Sequence, residues 1–192
     1  MVSGDDELTP YGGIVAFDHF LNQTGIIKIL ADNYPKPRTS PNATPVGDIL
    51  KGMTMNFLLG GTRFAHQRRL QDDRAVAQIF GLERGRINGE DAFRRLTEKL
   101  EKEEMRFEGF SSRKAVVAES ASRLLLIVYN LWSLFVRVLS ERDGHTEAVT
   151  SRYELLMLPG RFVKSGRQKT VKLSIGEKLR NHLKAAYTRL QE

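Results

Sequence analysis

The residues of this 192-residue chain best suited to chemistry are cationic and cluster near its C-terminal end. Arg161, Lys164, Arg167, Lys169 and Lys172 fall within fifteen residues, and no Asp or Glu occurs from Leu155 to Gly176. Side chains of this kind, repeated without acidic neighbours, neutralise phosphates and release condensed counterions. The surrounding sequence alternates Val171, Leu173 and Ile175 with Thr170, Lys172 and Ser174 around a Ser165-Gly166 turn signal. That period of two predicts a β-hairpin over 161–175.

A second cationic pair, Arg94-Arg95, sits near the start of a predicted helix. Asp72-Asp73 can open one helix through Ala75, Val76, Ile79 and Phe80, with Gly81 closing it; Asn88 can cap the next through Ala92, Phe93, Leu96 and Leu100. Helix, glycine-bearing turn and helix outline a helix-turn-helix, whose second helix presents its N-terminal residues to DNA. An ordinary helical hairpin with a charged outer face satisfies the same spacing, and the turn is longer than the usual three or four residues.

The other candidates for chemistry carry less. Glu98 to Glu108 is rich in carboxylates, but on a helix these point in several directions, and a solvated face accounts for them. His19, His66, His145 and His182 lie far apart, and none has a ligand-type partner at helical or turn spacing. Neither a catalytic residue nor a metal site is assigned. Cysteine is absent, which removes disulfides and thiolate sites and fits a cytoplasmic protein.

The elements that must position these side chains are mostly helical. The longest apolar run, Ala115 to Leu139, is shorter across its unbroken heart than a membrane span, and it contains Asn130 and Ser133. Apolar residues surround most of its circumference, so it is expected to be a central helix covered on several sides. Two helical pieces broken at Gly25 precede a proline-rich loop at 34–45, and a helix from Val46 to Leu59 ends at Gly60-Gly61. After a turn at 141–144, Ser151 with Glu154 has capping-box spacing for a helix ending before Pro159. Ser174 with Glu177 opens a last amphipathic helix carrying Leu179, Leu183, Ala186 and Leu190.

Charge is divided unequally. Residues 1–110 carry 15 Lys+Arg against 16 Asp+Glu, and residues 111–192 carry 15 against 7, so the net charge of +7 belongs to the C-terminal part. A polyanion such as nucleic acid is the expected partner. The first residues lack an apolar stretch of the signal-peptide kind, and no membrane association is expected.

Tyr129 to Val138 (YNLWSLFVRV), His145 to Arg161 (HTEAVTSRYELLMLPGR) and Ser165 to Leu173 (SGRQKTVKL) resemble the C-terminal end of bacterial insertion-sequence transposases of the DDE superfamily. FDHFL, GDILKGM and LGGTRF, with the helices to Leu82, resemble the N-terminal end of the same proteins. Intact members carry between these ends an RNase H-like domain with three acidic residues around two Mg²⁺ ions. Two-metal phosphoryl transfer needs carboxylates bridging ions roughly 3.5 to 4 Å apart. Here only about ten residues, Leu100 to Phe110, separate the ends, and they hold no strand with an embedded Asp. The resemblance places the last catalytic glutamate near Glu101, Glu103, Glu104 or Glu108, but without two aspartate partners none is carried over.

The resulting expectation is a mainly α protein with one basic β-hairpin. Residues 1–110 would form an N-terminal helical region with a possible helix-turn-helix, and 111–192 a C-terminal helical region with the hairpin, the two packed as one unit. Its function would be to bind DNA at the ends of a mobile element without cutting it, with Arg94, Arg95, Arg161, Lys164, Arg167, Lys169 and Lys172 as contacts. The alternatives are a residual metal-dependent nuclease acting as a homo-oligomer, and a fragment that associates with a full-length transposase rather than with DNA.

Overall fold

Gly13 is pressed so closely against the main chain of Leu155 that a Cβ added there would lie 1.8 Å from the Leu155 carbonyl oxygen. This close approach packs the start of the first long helix against residues 155 and 156 in a computed structural model. The structure describes residues 7–35, 40, 42–104, 113–139, 148–165 and 168–191; for 99–104, 113–116, 148, 149, 178, 182, 186, 190 and 191 it describes the backbone alone.

The fold is mainly helical with a small antiparallel sheet. In chain order the elements are β1 (Glu7–Thr9), α1 (Ile14–Thr24), α2 (Ile26–Asp32) and α3 (Val46–Leu58). A 3-10 turn (Phe64–Gln67) leads to α4 (Arg68–Gln71), α5 (Arg74–Ile79) and α6 (Glu90–Glu104). Then come α7 (Arg113–Leu139), α8 (Ala148–Leu155), β2 (Gly160–Ser165), β3 (Gln168–Leu173) and α9 (Glu177–Gln191). The sheet order is β1-β2-β3, so the predicted hairpin is present and gains a third strand that the short ELT segment did not announce. Thr9 fixes that strand by donating its hydroxyl to Asp73 Oδ2 at 2.7 Å, while Asp73 Oδ1 caps α5 by accepting from Val76 N.

The core forms where α1, α3 and α7 meet. Phe17 of α1 stands edge-on to Phe135 at 5.2 Å between ring centres and 5.8 Å from Trp132, and Ile14, Ile49 and Met53 are fully buried beside them. Asp18 is the charged exception on this side. Its carboxylate lies 3.8 Å from Lys51 Nζ, and its pKa is raised because desolvation outweighs the attraction of the lysine.

The central helix differs from its expectation. Leu124, Val128, Trp132, Phe135 and Leu139 are buried at spacings of four, four, three and four, which is one helical stripe. Leu125, Leu126, Tyr129 and Leu134 on the other side are 47 to 63 % exposed. The helix is contacted by α1, α3, α6, α8 and α9. Among the described residues it is the one helix long and apolar enough to cross a membrane, from Val117 to Leu139, and one stripe of it packs into the core.

Two caps also differ. α8 begins at Ala148, which puts Ser151 in its second turn, where the hydroxyl accepts from Trp132 Nε1 instead of capping the helix. α6 begins at Glu90 with Gly89 before it, and neither amide atom of buried Asn88 has a hydrogen-bond partner among the described residues. Glu90 and Asp91 instead complement the positive end of that helix.

Candidate nucleic-acid interface

The hairpin's register decides how its cations are disposed. Arg161 stands opposite Lys172, and Lys164 opposite Lys169. Directly opposed residues share a face and successive residues alternate. Arg161 and Lys172 therefore project on one face, and Lys164 and Lys169 project on the other, the face whose inner end is buried Phe162. The cations do not make one patch; they flank a ribbon on both sides. Lys164, Lys169 and Lys172 are exposed and have no ion-pair or hydrogen-bond partner among the described residues. Like charges placed directly opposite destabilise a strand pair. Arg167 lies outside the described residues, between the two strands.

Arg94 and Arg95 are not brought together with the hairpin. Both are exposed on α6, but they line two different hollows. Arg94 donates to Asp91 Oδ1 at 2.6 Å and lies 3.9 Å from Glu98 Oε1, so local carboxylates neutralise part of its charge. Arg95 borders a polar hollow of about 480 Å³ with Arg84, Arg86, Asp72 and Asp91. The connection from α5 to α6 runs over residues 80–89, and the two helices rest on different neighbours: α5 on α1 and β1, α6 on α3 and α7. That connection is longer than the usual three- or four-residue turn of a helix-turn-helix.

The hollow at Arg94 is the larger, about 990 Å³, and sequence reasoning did not single it out. It opens between the connection after α3, α6, and the first half of α7, and Arg63 and Arg152 join Arg94 in it. The LGGTRF stretch builds one wall. Gly60 takes φ +76°, a left-handed conformation that closes α3, and a Cβ at Gly61 would come within 2.2 Å of Asn56 Oδ1. Asn56 holds the same turn by donating its amide to Arg63 O at 3.2 Å and accepting from Gly61 N through its own carbonyl. The last carbonyls of α3 are satisfied by arginines: Arg152 Nη1 donates to Leu58 O and Arg69 Nη2 to Leu59 O, each at 3.2 Å. The usable signal in the sequence was Gly-Gly followed directly by Thr-Arg.

Among the described residues no group of three His, Asp or Glu side chains could hold an ion. The side chains of Glu101, Glu103 and Glu104, and Glu108 altogether, lie outside the described residues. No family model, curated protein or solved structure matches the chain.

Proposed function

We propose that this chain binds duplex DNA through the β2-β3 ribbon and does not cut it, as a transposase-derived protein without the catalytic middle. The observation that supports this reading most is the like-charged cross-strand pair Lys164 and Lys169, on a ribbon whose Lys164, Lys169 and Lys172 have no partner among the described residues. Such a pair costs stability in the free protein and is relieved by an anion beside it. A two-stranded ribbon fits the major groove, about 12 Å wide, and cations on both of its faces then meet the phosphates of both groove walls. These contacts set position and affinity; they carry no sequence information in themselves. The net charge of residues 111–192 adds long-range attraction of the same sign. A cytoplasmic location, beside bacterial DNA, belongs to the same proposal.

Fluorescence anisotropy of a labelled duplex, titrated from about 50 to 200 mM salt, tests it. The expected result is binding that weakens steeply and log-linearly with salt, without cleavage on addition of Mg²⁺. An absence of binding at the lowest salt would remove the proposal.

A further inference from the structure

We propose that Gln168, at the far end of the β2-β3 ribbon, reads an adenine in the major groove and so gives the protein a sequence preference. The inference deepens the DNA-binding reading and rests on it.

The pairing of the two strands ends with Ser165 directly opposite Gln168. Both are exposed, and neither side chain has a hydrogen-bond partner among the described residues. Gly166 and Arg167, which join them, lie outside the described residues and form no part of the proposed site. The other end of the ribbon is anchored: Gly160 and Phe162 are buried, and β2 pairs with β1 there. The end that carries Ser165 and Gln168 is therefore the one that projects.

A ribbon that lays a cationic face against each wall of the groove points its projecting end at the floor, where the base edges are. The major groove is about 8.5 Å deep, and an antiparallel strand rises about 3.4 Å per residue. Side chains at the height of the phosphates thus sit roughly two to three residues behind those at the floor. The ribbon's cations bracket that height. Lys164 and Lys169 stand one residue behind the Ser165–Gln168 pair on one face, and Arg161 and Lys172 four residues behind it on the other.

Within the projecting end, only one side chain can discriminate strongly among base pairs. The lysines answer to phosphate charge, which carries no sequence information. A serine hydroxyl pairs with more than one base. Thr170 shares the face of Gln168 but stands two residues further from the end, opposite half-buried Val163. The Gln168 amide holds a donor and an acceptor side by side, the match for N7 and N6 of adenine, and no other base pair presents that pattern in the major groove. Nothing in the fold occupies this amide, so it is available to DNA without breaking a contact.

Selection by the full chain from a pool of random-sequence duplexes at about 50 mM salt tests the assignment. One position of the bound sequences should be enriched in A·T, roughly five- to 150-fold over the other pairs, the range for one good bidentate contact. Gln168→Ala should erase that enrichment while leaving affinity for the unselected pool, its salt slope and the unfolding midpoint as they were. Gln168→Arg should turn the preferred pair at that position into G·C, which a guanidinium matches. Enrichment of no pair, of G·C alone, or of the same A·T pair in both variants overturns the proposal and leaves the ribbon's binding role standing. If the wild-type chain binds none of the pool, the binding reading and this one fall together.

Discussion

The indole Nε1 of Trp132 donates to Ser151 Oγ at 3.1 Å, both side chains being buried. This contact ties α8 to α7 and orients the ring that Phe17 and Phe135 pack against. Ser151→Ala removes the acceptor and leaves a buried N–H without a partner, at a cost of about 1–3 kcal/mol. Trp132→Phe loses packing as well, and in its background Ser151→Ala should cost much less. Urea unfolding of the four proteins measures this coupling; additive losses would show that the bond contributes nothing.

Gly13→Ala should be among the most damaging single-methyl changes in the chain. The added carbon would overlap the Leu155 carbonyl at 1.8 Å and the Leu156 Cα at 3.0 Å, and main chain cannot swing aside as a side-chain tip can. The same segment is fastened by Gly12 N donating to Leu158 O at 2.7 Å and by β1 pairing with β2. We expect a loss of at least 1–3 kcal/mol, the usual cost of overpacking. A fragment of residues 111–192, deprived of β1, α1 and α3, should not unfold cooperatively. Cooperative unfolding of that fragment with unchanged stability would show that the two parts do not depend on each other.

Asp18 gives the pH prediction. Its folded pKa is raised above the usual 3.8 by burial, so the folded state holds a proton that the unfolded chain has released. Stability from this group is therefore complete below the unfolded value and is lost as pH rises through the folded one. Asp48 is shifted in the same direction for the same first cause, although it accepts from Glu83 N. Replacing Asp18 with Asn removes one titration, so the variant should gain stability relative to wild type as pH rises from the acid range toward neutrality. A stability difference that stays constant with pH would contradict the burial of an ionising carboxylate there.

How much of this was legible beforehand depended on whether a feature is local. The break at Gly25, which takes φ +64°, the end of α3 at Gly60 and the cap at Asp73 are set by residues within a turn of each other, and their chemistry is visible in the sequence. The hairpin followed from its period of two. What was not legible depends on residues far apart. Nothing in ELT indicates pairing with 160–162, and nothing in the apolar run of α7 says that Leu126 and Tyr129 face outward, because that is decided by which helices dock on it. Ser151 looked like a cap because Glu154 follows at the right distance, but its hydroxyl answers to a tryptophan nineteen residues earlier. The hollow at Arg94 was missed for the same reason: Arg63, Arg94 and Arg152 come from three distant segments.

Catalysis supplies a fourth prediction. In Mg²⁺ or Mn²⁺ the purified chain should neither nick nor join DNA, since strand transfer needs carboxylates held around two ions. Changing Glu101, Glu103, Glu104 or Glu108 to Gln should leave a cleavage assay as it was. Metal-dependent nicking that disappears in one of these variants would establish a nuclease and displace the binding-only reading.

The most direct test of the ribbon is the salt dependence of DNA affinity in a chain with Lys164, Arg167 and Lys169 all replaced by Ala. Each phosphate contact contributes about 0.9 to the slope of log K against log salt, so the triple variant should lose up to roughly 2 to 3 units of slope and bind every duplex more weakly. Far-ultraviolet circular dichroism and the unfolding midpoint should be unchanged or improved, because the Lys164–Lys169 repulsion across the strands is gone. An unchanged salt slope with tight binding retained would show that these cations serve solubility alone and that DNA meets the protein elsewhere.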